Sequence, residues 1–71
     1  MRVSIYKSID LSATGTTIEE AVAAAVNRAS LTLEGVSSFA IERIDGTFED
    51  GELTYRVLVR VSFVVREHLH E

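Results

Sequence analysis

The residues best able to do chemistry are four carboxylates close together in the chain: Asp45, Glu49, Asp50 and Glu52, interleaved with Gly46 and Gly51. Calcium takes roughly six to eight oxygen ligands, and carboxylates on a turn can supply several of them. The spacing does not follow the regular EF-hand loop. Two readings therefore stand side by side. In one, the acidic turn holds calcium, with copies of the same carboxylate meeting on a symmetry axis; in the other it is a solvated hairpin. His68 and His70, two residues apart, would share a face on a strand and could hold a transition metal. In a polar tail they are simply solvated. Nothing in the sequence assembles a catalytic group. There is no cysteine, which removes thiolate metal sites, disulfides and a thiol nucleophile. Both histidines sit in the tail, Ser12 and Ser30 lack an identifiable base, and Gly35 and Gly46 do not form a phosphate loop. The chain reads as non-enzymatic.

The framework for these residues is small. The 71 residues read as a single domain, 1–71. A domain of this size buries only about 60% of its unfolded surface and is marginal alone. Without cysteine, a partner subunit is the remaining staple once metal is set aside. The formal net charge of −4 opposes broad binding to nucleic acid or anionic membrane. No apolar run approaches the ~20 residues of a membrane span. Met1 to Lys7 lacks the apolar centre of a secretory signal, so a cytoplasmic location is expected.

Hydrophobic periodicity gives an α+β order, β-α-β-β. Residues 2–11 alternate, with Val3, Ile5, Ile9 and Leu11 on one face and Lys7 interrupting it. Ser12 to Thr17 reads as a loop. A helix is expected over 17–33, opened by a capping box from either Thr16 with Glu19 or Thr17 with Glu20. Ile18, Val22, Ala25, Val26, Ala29 and Leu33 form its apolar stripe, and Gly35 fits a C-cap. Strands are expected over 37–48, with Phe39, Ile41, Ile44 and Phe48 apolar, and over 53–66, with Leu53 to Val65 alternating. Asp50-Gly51 between them is a hairpin signal. The tail 67–71 is polar. If the first strand joins the free edge of the third, the sheet is three-stranded and antiparallel, wrapped on one helix.

One helix of this length spans about 26 Å. The third strand spans about 45 Å. The helix cannot shield all of it, and Phe63, Val64 and Val65 are expected at the uncovered end. Burial against copies of the same chain is the economical solution.

The order and spacing of several segments resemble the dodecins. They are Tyr6-Lys7; Ala13-Thr14-Gly15-Thr16; Ala25-Val26-Asn27-Arg28-Ala29-Ser30-Leu31-Thr32-Leu33; Phe39-Ala40-Ile41-Glu42-Arg43-Ile44-Asp45-Gly46; Gly51; and Tyr55-Arg56-Val57-Leu58-Val59-Arg60-Val61-Ser62-Phe63. The likeness runs from about Val3 to Val65. It implies a hollow homododecamer of β-α-β-β subunits, with self as the partner and neither nucleic acid nor membrane. It also implies a role in small-ligand storage, with flavins stacked in pairs as the usual cargo. Two positions depart from that pattern. Flavin-binding members carry Trp just before the residue matching Phe39, where this chain has Ser38; they carry Gln just after the aromatic matching Tyr55, where this chain has Arg56. Ser38 offers no stacking plane and Arg56 only donors. The departures resemble a flavin-independent branch that includes a calcium-binding type. The candidate ligand pocket is therefore Ser38, Arg43, Asp45 and Arg56, and the candidate metal set Asp45, Glu49, Asp50 and Glu52. Arg56 could reach a phosphate or carboxylate, or could form a salt bridge between subunits with Glu42 or Glu52. A purely structural shell is the remaining alternative.

Overall fold

The computed structural model describes residues 4–65. Its elements are β1 (Ile5–Gly15), α1 (Ile18–Thr32), β2 (Val36–Glu49) and β3 (Glu52–Val65). The sheet order is β1-β3-β2, antiparallel throughout, with α1 on one face. This is the β-α-β-β architecture expected from the periodicity.

β1 is longer than the expected 2–11. It continues through Ser12, Ala13, Thr14 and Gly15, which pair with Leu58, Val57, Arg56 and Tyr55. Turn-forming residue types suggested a loop there; the neighbouring strand overrode that local preference. Alternation persists, because Ile9, Leu11 and Ala13 all pack on the core side.

α1 opens on Thr17, whose hydroxyl accepts the Glu20 N–H at 3.0 Å. The Glu20 carboxylate reaches back to Thr16 instead, accepting from its N–H at 3.1 Å and its hydroxyl at 2.7 Å. The helix closes at Leu33, whose N–H donates to the Ala29 carbonyl. Gly35 is not that cap. It lies two residues beyond, at φ +77, and its carbonyl accepts the Val64 N–H at 3.0 Å. The Asp50-Gly51 turn has φ +50 and +78, the two positive values that a twist-matched two-residue hairpin requires.

The core is thin. Ala21, Ala25 and Ala29 of α1 press on Val57, Val59 and Val61 of β3, and these six form the fully buried cluster among the described residues. Small side chains let the helix approach the sheet closely. α1 lies over β1 and β3 and touches β2 least. The uncovered apolar surface is therefore on β2 and the hairpin tip, not at Phe63–Val65, which are half-buried. Phe39 is 51% exposed, Phe48 69% and Leu53 52%. The residue past Val65 and the tail 67–71, with His68 and His70, lie outside the described residues, as does Val3.

Candidate functional site

On the sheet face away from α1, polar side chains from all three strands meet. Arg56, Leu58, Arg60 and Ser62 of β3 alternate with the buried valines and so point to this side. β1 adds Asp10 opposite Arg60 and Ser12 opposite Leu58. β2 adds Arg43 opposite Leu58 and Asp45 opposite Arg56.

A bulge makes the β2 contribution possible. Ile41 pairs with Val59 and Arg43 with Leu58, so Glu42 is the extra residue. A one-residue slip exchanges the two faces of everything beyond it. Before the bulge, Phe39 and Ile41 face the helix side; after it, Ile44 does, and Arg43 and Asp45 turn to the polar face. The irregular spacing of Ile41 and Ile44, three apart where alternation demands two, is the sequence signal for this, and strand alternation alone passes over it.

Asp45 is the centre of the cluster. Arg56 donates to it in a two-point clasp, Nε to Oδ1 at 2.8 Å and Nη2 to Oδ2 at 3.0 Å. Arg43 ion-pairs with the same carboxylate, Nε to Oδ2 at 3.1 Å. The hydrogen bond from Arg56, reinforced by both positive charges, holds the Asp45 carboxyl below its ordinary value. Asp45 in turn raises the Arg56 guanidinium. With Ser12 and Leu58 these three residues line a cleft of about 330 Å3. A second cluster lies further along the same face. Arg60 clasps Asp10 at 3.0 and 3.2 Å and approaches Glu42 at 3.7 Å. The Arg60 hydrogen bond lowers the Asp10 carboxyl.

Of the candidate ligand residues, Arg43, Asp45 and Arg56 come together. Ser38 shares their face but pairs with Ser62. Ser62 lies six residues along β3 from Arg56, about 20 Å at ~3.3 Å per residue. Within its own chain Arg56 meets Asp45. Of the candidate metal residues, Glu49 and Glu52 flank the turn as cross-strand partners and Asp50 occupies it. Asp45 is committed to its arginines at the Arg56 rung of the ladder. Among the described residues no three carboxylates or histidines gather as a metal site. Ser30 donates back to the Asn27 carbonyl at 2.9 Å, an ordinary helical contact. Ser12, Leu58 and the Asp10–Arg60 pair enter the site from a segment whose sequence resembled a loop and from a strand read for its apolar face.

Comparison with known proteins places this geometry. A calcium-chelating immunodominant antigen of Mycobacterium tuberculosis, described as a calcium dodecin with a novel calcium-binding site, is 33% identical with a TM-score of 0.76; the match covers 96% of this chain and all of that one. An arginine-to-alanine variant of the Thermus thermophilus dodecin is 31% identical with a TM-score of 0.87, covering 93% of this chain and all of that one. The Streptomyces coelicolor dodecin is 28% identical with a TM-score of 0.85, covering 96% of this chain and all of that one. No curated protein matches. The family model for Dodecin matches residues 5–66, and with that span and this fold the chain belongs to the dodecin family.

Proposed function

We propose that this chain is a non-enzymatic subunit that assembles with copies of itself into a cytoplasmic homododecamer and holds a small ligand without turning it over, and that flavin in the usual stacked mode is not that ligand. The observation that carries the ligand half is the state of Arg56. Where flavin-binding dodecins present an amide, this chain presents a guanidinium clasped at two points by Asp45. Where they present an indole, Ser38 offers no ring. Stacking contributes about 0.5–1.5 kcal/mol per aromatic pair beyond area burial. Both the stacking surface and the amide edge are absent.

The exposed side of β2 supports assembly. A phenylalanine carries roughly 200 Å2. Phe39 and Phe48, at 51% and 69% exposure, thus leave about 240 Å2 of aromatic surface in water. Ile41, Ile44 and Leu53 extend the patch. That approaches the ~300–600 Å2 of the largest patch on a typical monomer, where the fully buried core among the described residues is three alanines and three valines.

A second reading, calcium binding, is favoured by the relative described as calcium-chelating. Its ligands here would be Asp45, Glu49, Asp50 and Glu52, drawn from several copies, since one chain does not converge them.

Light scattering tests the assembly: twelve chains of 7.8 kDa give about 94 kDa. A mass of one chain would defeat it. Absorption of the purified protein and titration with riboflavin test the cargo, with no bound flavin as the expected result. Saturable flavin binding with a red-shifted, quenched spectrum would refute the ligand argument. Calorimetric titration with calcium decides the second reading.

A further inference from the structure

We propose that the cleft between Arg43 and Arg56 binds a small oxyanion, a phosphate or a carboxylate. This rests on the reading of the chain as a small-ligand binder and names the ligand's chemistry.

The first observation is charge. Two guanidiniums share the single Asp45 carboxylate, so the cluster carries one positive charge in excess. The chain as a whole carries −4. On the same face, Arg60 is matched by both Asp10 and Glu42, an excess of one negative charge. The sign of the surface therefore changes within four residues of β3, between Arg56 and Arg60, and the positive end is where the cleft lies.

The second observation is donor supply. A guanidinium has five N–H donors and no acceptor. Arg56 spends its Nε and one Nη on Asp45. Arg43 meets the same carboxylate through Nε, and its side chain is 72% exposed. Nη donors of both arginines remain for a ligand, and their planar forks suit carboxylate and phosphate oxygens. Asp45 fixes both guanidiniums beforehand, which lessens the ordering cost on binding.

The third observation is shape. The cleft of about 330 Å3 is lined by the Ser12 hydroxyl as a further polar group and by Leu58 as an apolar wall. That volume is at the small end of ligand sites, which run from ~300 to ~1,000 Å3. It suits a small anion bearing a short apolar portion. A polyanion is disfavoured, because it would meet the negative charge of the rest of the chain.

The test is calorimetric titration of the full chain, as assembled, with inorganic phosphate in one arm and succinate in the other, at ionic strength held constant with chloride. Saturable binding in either arm is expected and identifies the oxyanion class. Arg43→Gln should weaken it at least tenfold, and Arg28→Gln, on the exposed side of α1, should leave it unchanged. Absence of saturable binding in both arms, or an Arg43→Gln variant that binds as well as the parent, overturns the proposal. Should Arg43→Gln fail to fold, the parent alone decides: its melting temperature must rise with phosphate or succinate beyond the rise with chloride. The mass by light scattering is read on the same samples. A single-chain mass with anion binding intact would remove the assembly reading and leave the site.

Discussion

Ala25 sits against the sheet, 2% exposed, in the cluster with Val57, Val59 and Val61. Ala24, one residue earlier, faces water. The same substitution at the two positions therefore separates packing from everything else. Leucine and alanine have nearly equal helix propensity, so the helix itself is indifferent to both changes. Three added carbons at position 25, if they could be accommodated, would gain about 2.4 kcal/mol at ~0.8 per methylene. No space exists for them, because the alanine row is what brings the helix onto the valines. Overpacking of this kind costs about 1–3 kcal/mol net even after relaxation. For a domain of 60–100 residues each kilocalorie shifts the melting temperature by roughly 4–8 °C. Ala25→Leu should then lower it by about 10 °C. Ala24→Leu should stay within about 0.5 kcal/mol of the parent, as surface changes do. The assay is thermal unfolding of parent and both variants at one protein concentration, since any association between copies makes a melting temperature depend on concentration. An unchanged melting temperature for Ala25→Leu would refute the close-approach argument. So would equal losses at both positions, which would mean that the outer helix face is buried too.

Thr17→Ala removes the acceptor of the Glu20 N–H and should cost about 1 kcal/mol, read by urea unfolding. Gly35→Ala should cost about 1–2 kcal/mol from its φ of +77 alone, and more because the added Cβ would lie 3.0 Å from the Val64 carbonyl oxygen. Asp10, Glu20 and Asp45 all have folded-state values lowered, chiefly by hydrogen bonds from Arg60, Thr16 and Arg56. Their contribution is therefore complete above the ordinary values of 3.8 for aspartate and 4.5 for glutamate, and fades as pH falls through the lowered ones. Melting temperature should be flat from pH 7 to about 5 and decline below about 4. Asp10→Asn with Asp45→Asn should flatten that acid limb, and a limb of undiminished steepness would exclude these two groups as its source.

Much of the fold was legible because period and spacing encode it directly. The alternation of Val57, Val59 and Val61, the alanine-rich stripe of α1 and the Asp50-Gly51 turn each name one conformation. What composition could not decide was settled between strands. Ser12 to Gly15 look like a loop when read alone, yet their backbone groups find partners on β3. Either capping register suited the helix start, and the structure divides the work, with Thr17 capping and Glu20 bonding to Thr16. The candidate site was legible in residue type only. Arg43, Asp45 and Arg56 were nameable, but their meeting depends on the Glu42 bulge, and Ser38 could not be known to lie about 20 Å away until the register was fixed.

The least legible feature, the strand that the helix leaves bare, has a simple physical cause. Periodicity tells which face of each element is apolar and not which strands the helix will cover. That choice is made at the two ends of α1. Thr16 and Thr17 alone separate β1 from the helix, so its start must sit beside the end of β1. At the other end the Gly35 carbonyl is tied to the Val64 N–H, so the chain leaving the helix is held at the end of β3. A helix pinned to β1 and β3 cannot also lie over β2, and Phe39, Ile41 and Ile44 face the helix side with only its edge to meet them. The groove that Phe39 and Ile41 share with Ile18, Val22 and Val26 follows from two short connections, not from a shortage of apolar residues on the helix. Lengthening the β1–α1 connection would let the helix shift toward β2 and cover that groove. The prediction is that a two-glycine insertion between Thr16 and Thr17 lowers the exposure of Phe39, read by the binding of a hydrophobic dye, and weakens the proposed self-assembly in the same samples. Retention of both at parental levels would show that the helix is held over β1 and β3 by its packing on the valines rather than by its tethers.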